Sequence, residues 1–371
     1  AKKALKKKMP KRRANFQYWN ETHFHKLREA PPSKLYSKGR IPWRLLAHVL
    51  EISPDVHRLR ELVGKRLMDD GRLAAGQREL DRMLMLLWRA GYVELDPPPP
   101  ADDDDAPQEA TAPVREEAPT TLFGVSLDQQ PKPETPAHEP PAESPTEAPR
   151  YRPERAHPTD RLNLLTQFRS VNPLYGVFLI NQLGDADDEE LLQAMESVLE
   201  VPGSIARFVR VPKLEELPPG ALATNRLDPQ LLRLGLATEQ ELTGEFDDED
   251  QFDDDPDRRW WPLTFAEKLK LLFDHDFPGL EHIFIQPVWI AGELLRFGGN
   301  FNKLVLSRRL QKQEGIVFRH LLRLILLLGE FAQICPPEVE REVWEQRLAA
   351  LRDQIAAACQ AVDPTSTQKA L

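Results

Sequence analysis

Arg319 and Arg323 stand one helical turn apart within Leu310–Leu328, LQKQEGIVFRHLLRLILLL. Guanidiniums stay charged, and their planar fork of donors suits carboxylates or phosphates. At i, i+4 spacing the two share a face. Ile316, Val317, Phe318, Leu321, Leu322, Leu324, Ile325, Leu327 and Leu328 follow a helical period around them, which predicts a helix buried nearly all round. Charges on such a helix need partners. Internal carboxylates, Glu293 or Glu330, are one source, and Arg323 is assigned to that structural role. Phosphates from outside are the other, with Lys303, Arg308, Arg309 and Lys312 extending a basic channel; for Arg319 the two readings balance. The amino end poses a similar choice. Lys6, Lys7, Lys8, Lys11, Arg12 and Arg13 precede Phe16, Tyr18, Trp19 and Phe24. The ordinary reading is a solvated helix end with a packing edge. The functional one is a basic arm with rings that stack on bases.

Other chemistry finds no support in the residues. No G-x-x-x-x-G-K-[ST] phosphate loop occurs, so the chain is expected neither to bind nor to hydrolyse ATP alone. The acids Asp247–Asp250 do not follow an apolar strand and read as a loop, not a magnesium site. No G-x-S-x-G nucleophile elbow is present. His23-x-His25 and Asp274-His275-Asp276 lack partner pairs at metal-ligand spacing. His320 reads as a hydrogen-bonded core histidine, and Met83 and Met85 as core filling. The sequence therefore gives no catalytic, cofactor or metal residues.

These residues need elements to position them. The chain has 371 residues, enough for two or three domains, and 34 prolines unevenly spread. Its formal charge of −10 argues against nucleic acid only if averaged, because acids and bases are segregated. Two cysteines and no secretory signal suit reduced thiols in a cytoplasmic protein. The longest apolar run is too short and too charged to span a membrane. The basic opening, without an initiator methionine, is read as the inside of a longer polypeptide.

Composition divides the chain into six stretches. Residues 1–39 form the basic and aromatic arm. Residues 40–95 read as three helices and a short strand, a winged-helix-like unit, with Asp69-Asp70-Gly71 closing the second helix. Arg78, Arg82 and Arg89 are weak contact candidates there. Residues 96–158, rich in Pro, Asp and Glu, read as a disordered linker with one apolar island, Leu122–Val125. Residues 159–243 read as a helical bundle and 244–259 as an acidic loop. Residues 260–371 read as a closing helical domain, with helices expected at Thr264–Phe273, Val288–Phe297 and Glu338–Val362. The fold class is mainly α.

The run Glu314, Gly315, Arg319, Arg323, Leu324, Leu327, Leu328 has the form E-G-x-x-x-R-x-x-x-R-L-x-x-L-L. It resembles the core of the DSHCT domain that ends superkiller-type DExH-box RNA helicases of superfamily 2. Ile316 departs from the small polar residue usual after that glycine. The helix Glu338–Val362 resembles the family's closing helix. The block FRSVNPLYGVFL and the helix after it are similar to the bundle between motor and DSHCT domain, where one helix lies against the strand. The resemblance implies the non-motor C-terminal part of an ATP-dependent helicase. RNA and the RecA-like motor domains of the same protein would be its partners, and ATP with Mg2+ would serve the parent only. From another class, a non-enzymatic adaptor would use the same helical domains and flexible tether to dock proteins. A winged-helix regulator would instead place its bases on the helix near residues 76–90.

Overall fold

The computed structural model describes residues 20–31, 35–100, 121–122, 125–126, 151–244, 261–280 and 283–371. The protein is mainly helical. It divides into two units, one of Ala1–Gly39, Lys65–Leu73 and Pro100–Tyr151, the other of Arg40–Gly64, Ala74–Pro99 and Arg152–Leu371.

In the first unit, helix α1 (Glu21–Glu29) starts where the Asn20 side chain accepts from His23 N at 2.8 Å, and it buries none of its residues. Ser37 N donates to the Leu67 carbonyl at 2.9 Å, while Leu67 N donates to Ser37 Oγ at 3.0 Å. Further along, Thr121–Leu122 and Val125–Ser126 pair antiparallel, so the ends of the apolar island form a short ladder. The rest of the linker from 101 to 150, and the acidic stretch from 245 to 260, lie outside the described residues.

The second unit opens with helices α2 (Trp43–Ile52) and α3 (Val56–Gly64), followed by α4 (Asp70–Arg89), which begins in the first unit's segment. Each shows a helical stripe to the core: Leu46, Ala47 and Leu50; Val56, Leu59 and Val63; Leu80, Met83, Leu84 and Leu87. Asp69-Asp70-Gly71 opens α4 and does not close α3. Asp69 Oδ1 accepts from Arg72 N at 2.8 Å, the capping role of a short polar side chain at a helix start. Strand β1 (Val93–Asp96) alternates buried and exposed residues and pairs antiparallel with a second strand, Arg155–Pro158, numbered β4 after the β2 and β3 of the short ladder. β4 corrects the linker's far boundary. Residues 155–158 look like linker in composition, and it is pairing with residues distant in sequence that satisfies their backbone. Ala156 N also donates to the Pro54 carbonyl at 2.8 Å, and Asp55 bridges Arg155, so β4 has a neighbour on each side.

Helix α5 (Leu164–Gln167) is a single turn. Helix α6 (Pro173–Gln182), capped by Asn172 with proline in its first turn, buries every residue from Pro173 to Ile180. Gly176 is needed there, because a Cβ would lie 2.8 Å from the Phe168 ring. Helix α7 (Asp188–Ser197) has a capping box of Asp187 and Glu190. Short helices α8 (Gly203–Ala206), α9 (Asp228–Arg233) and α10 (Glu239–Thr243) follow, then α11 (Phe265–Asp276), which starts on the Thr264 and Glu267 capping box. Helix α12 spans only Ala291–Arg296, less than the expected Val288–Phe297. Residues before it are drawn into extended pairing: Trp289 N donates to the Val209 carbonyl at 2.7 Å, and Val288 bridges Arg210. Helices α13 (Phe301–Ser307), α14 (Glu314–Ala332), α15 (Arg341–Gln360) and α16 (Pro364–Gln368) complete the unit. α14 and α15 pack side by side, fastened where Trp344 Nε1 donates to the Phe331 carbonyl at 3.1 Å. No helix among the described residues is long and apolar enough to cross a membrane.

Candidate nucleic-acid interface

Helix α14 is not buried nearly all round as its composition suggests. Val317, His320, Leu321, Leu324, Ile325, Leu327, Leu328 and Phe331 face the core, whereas Ile316 is 37% and Leu326 48% exposed and Arg319 lies open. Its main neighbours are α7 and α15. Its arginines therefore meet a different environment from the expected one. Glu293 is taken by Arg308, at 2.8 Å. Glu330 accepts from Arg169 N and Ser170 N at 3.1 Å each and from Ser170 Oγ at 2.9 Å. Neither carboxylate pairs with Arg319 or Arg323. Arg323 instead donates through Nη1 to the Glu200 carbonyl at 3.1 Å.

The remaining expected contact residues divide by environment. Arg308 is half-buried and neutralised by Glu293, which argues for a structural role. Lys303 is exposed, with its ammonium 5.0 Å from the Phe297 ring centre. Arg309 turns the chain between α13 and α14 with a left-handed φ of 56°. Lys312 is exposed in the same connection. Among the described residues, Lys303, Arg309, Lys312, Arg319 and Arg323 form no ion pair, so their charge is available. Glu314 and Gly315 sit in the first turn of α14, where a Cβ on Gly315 would meet nothing within 4 Å. The motif's glycine has no steric cause in this fold. Lys6, Lys7, Lys8, Lys11, Arg12 and Arg13 lie outside the described residues.

Beneath this surface the unit is held by buried charges. His320 is 3% exposed, with Nε2 3.1 Å from Glu196 Oε2. Glu196, wholly buried, also accepts from Ile290 N at 2.7 Å, Ala291 N at 2.9 Å and Gly292 N at 3.4 Å. A carboxylate there answers the open amides and positive end of α12. It ties α7, α12 and α14 together. Glu190 repeats the device, accepting from Leu222 N at 3.2 Å and Ala223 N at 2.8 Å; burial pushes its carboxyl above the usual range, and those amides oppose the rise. Lys268, 2% exposed, meets Asp228 at 2.7 Å. Composition marked His320 as a core residue, but nothing in the sequence linked it to a glutamate so far away along the chain.

Sequence reasoning also missed a half-open cleft of about 550 Å³ on the α6, α7 and α14 side. Arg169, Asn172, Tyr175, Glu200, Phe284 and Arg323 are among its walls. Only Arg323 had been singled out. The others come from three separate segments, and no spacing signal joins them to Arg323.

Among the described residues, no group of three or more His, Cys, Asp or Glu side chains is placed to hold a metal. His25 meets Glu21 at 3.8 Å, and His275 meets Asp276 at 3.1 Å, each within its own helix. Comparison with known protein families, with curated proteins and with solved structures finds no match.

Proposed function

We propose that this chain is the non-motor C-terminal part of a superkiller-type DExH-box RNA helicase, which guides the RNA strand and braces RecA-like motor domains carried elsewhere in the same protein. The observation that carries this reading is the unpaired charge of Arg319 and Arg323 on α14. Both belong to the family-like motif, and Arg309 and Lys312 lie in the turn that leads into the helix. A helix that opens one arginine-bearing face to solvent can offer guanidiniums to phosphates without first breaking an internal ion pair. In the same reading, α2, α3 and α4 with β1 and β4 form a winged-helix-like brace. The Asp55 bridge to β4 supplies the extra edge pairing that such a small sheet needs.

The test is RNA binding by the chain across a salt series, read by fluorescence anisotropy. Four phosphate contacts on a single strand give a slope of about −2.8 in log K against log salt, or roughly 50-fold weaker binding between about 50 and 200 mM. Arg319→Gln lowers the slope by about 0.7 and leaves the fold intact. The chain alone hydrolyses no ATP. Binding that is absent at low salt, or indifferent to salt, removes the strand-guiding role and leaves the adaptor.

A further inference from the structure

The cleft walled by Arg169, Arg323 and Phe284 shares Arg323 with the strand-guiding reading, and its other walls are separate from it. We propose that it binds a phosphomonoester carried on an aromatic body, of the size of a nucleoside monophosphate.

Its volume of about 550 Å³ suits a ligand of that size. Arg169 and Arg323 are among its walls, and among the described residues neither forms an ion pair. The fold holds the Arg169 backbone and the Arg323 side chain in place. Glu330 lies two turns beyond Arg323 on α14, and its carboxylate accepts from Arg169 N, Ser170 N and Ser170 Oγ. The turn that carries Arg169 is thereby fixed to the helix that carries Arg323. Arg323 is steadied in turn by the Glu200 carbonyl, at 3.1 Å. Two guanidinium forks with no internal ion pair among the described residues match the oxygens of a dianionic phosphate, and for Arg323 part of the ordering cost is already met by folding.

The other walls specify the body. Phe284 is 56% exposed, a large ring left in solvent beside the arginines, as a stacking platform requires. Asn172 uses its Oδ1 to cap α6, accepting from Leu174 N at 3.0 Å, which leaves its amide NH2 to donate. The Tyr175 hydroxyl, in a side chain that also walls the cleft, is buried with no partner among the described residues. Glu200 adds one carboxylate, an acceptor for ligand hydroxyls. Two positive charges against one negative leave the cleft a net positive charge for a phosphate dianion.

The experiment is calorimetric titration of the full chain with AMP, adenosine and inorganic phosphate as probes. AMP binds at one saturable site, and the other two, each lacking part of the ligand, bind at least about tenfold more weakly. Arg169→Gln and Phe284→Ala, both at exposed positions, weaken AMP by about tenfold with unchanged circular dichroism and melting temperature. Arg323→Lys, which keeps the charge and loses the fork, also weakens it. Competition by a short oligoadenylate with a 5′-phosphate or a 5′-hydroxyl then identifies the source of the phosphate. Stronger competition by the phosphorylated form assigns the cleft to strand ends; oligonucleotides that compete less well than AMP assign it to a free nucleotide. The proposal is overturned if AMP fails to bind at millimolar concentration, if adenosine matches AMP, if Arg169→Gln changes nothing, or if the two oligonucleotides compete as well as AMP and equally. Salt-dependent binding of internal RNA is read separately on the same Arg169→Gln variant, so this site and the strand-guiding surface fail or stand apart.

Discussion

Replacing Glu196 by leucine tests whether buried charge holds the second unit together. Leucine keeps much of the volume and removes every acceptor. The Ile290 and Ala291 amides, now bonded at 2.7 and 2.9 Å, would be stranded in the core. Gly292 N, at 3.4 Å, adds less, and His320 Nε2 loses the oxygen at 3.1 Å. A buried donor left without a partner costs about 1–3 kcal/mol, so two sound bonds and the imidazole give about 4 kcal/mol. Urea unfolding followed by far-ultraviolet circular dichroism reads this directly. With a slope of about 3 kcal/mol/M, the midpoint falls by about 1.3 M. His320→Leu leaves the α12 amides satisfied and costs about 1–2 kcal/mol. The double variant costs less than the sum, because each single change strands a group that the other removes. A Glu196→Leu loss below about 1 kcal/mol would refute the view that this carboxylate organises the unit.

Three further outcomes follow from the same coordinates. Gly292→Ala is expected to destabilise by about 2–3 kcal/mol in thermal unfolding, since its Cβ would overlap the buried Trp289 ring; a neutral result would mean the ring moves freely. The Ser366 hydroxyl, with the Ser366 and Thr365 amides, holds the exposed Asp363 carboxyl below its usual range. Its cap on α16 is therefore fully present at neutral pH and is lost as pH falls through the lowered value. The protection factor of the Ser366 amide, its exchange rate relative to the unstructured chain at the same pH, should fall in acid in the parent chain, whereas in Asp363→Ala it should already be low at neutral pH. Burial pushes the Cys359 thiol up to about 12, so in the native chain a thiol reagent should modify half-buried Cys335 first and Cys359 only on unfolding; equal rates would contradict the packing of α15.

Much of the architecture could be read locally. Helical stripes such as Leu80, Met83, Leu84 and Leu87, and the Thr264 and Glu267 box, depend on residues within a few positions of one another, and composition carries that information. Element ends were less legible. Asp69 reads equally well as a stop or a cap, and its bond to Arg72 N decides the matter. Val288 and Trp289 have helical composition, yet pairing with residues 209–210 keeps them out of the helix.

Residue order and type settled where the helices lie and that Arg319 and Arg323 share a face. Which carboxylate each charge would meet was open until the chain was folded. Glu293 goes to Arg308, Glu330 to the Arg169 turn and Glu196 to His320 and the start of α12. The reason is physical: helical periodicity is a property of neighbours in sequence, whereas hydrogen bonding between buried groups is decided by neighbours in space. The cleft brings Arg169 beside a helix more than 150 residues away in sequence, and Glu330 bonds those two distant segments together.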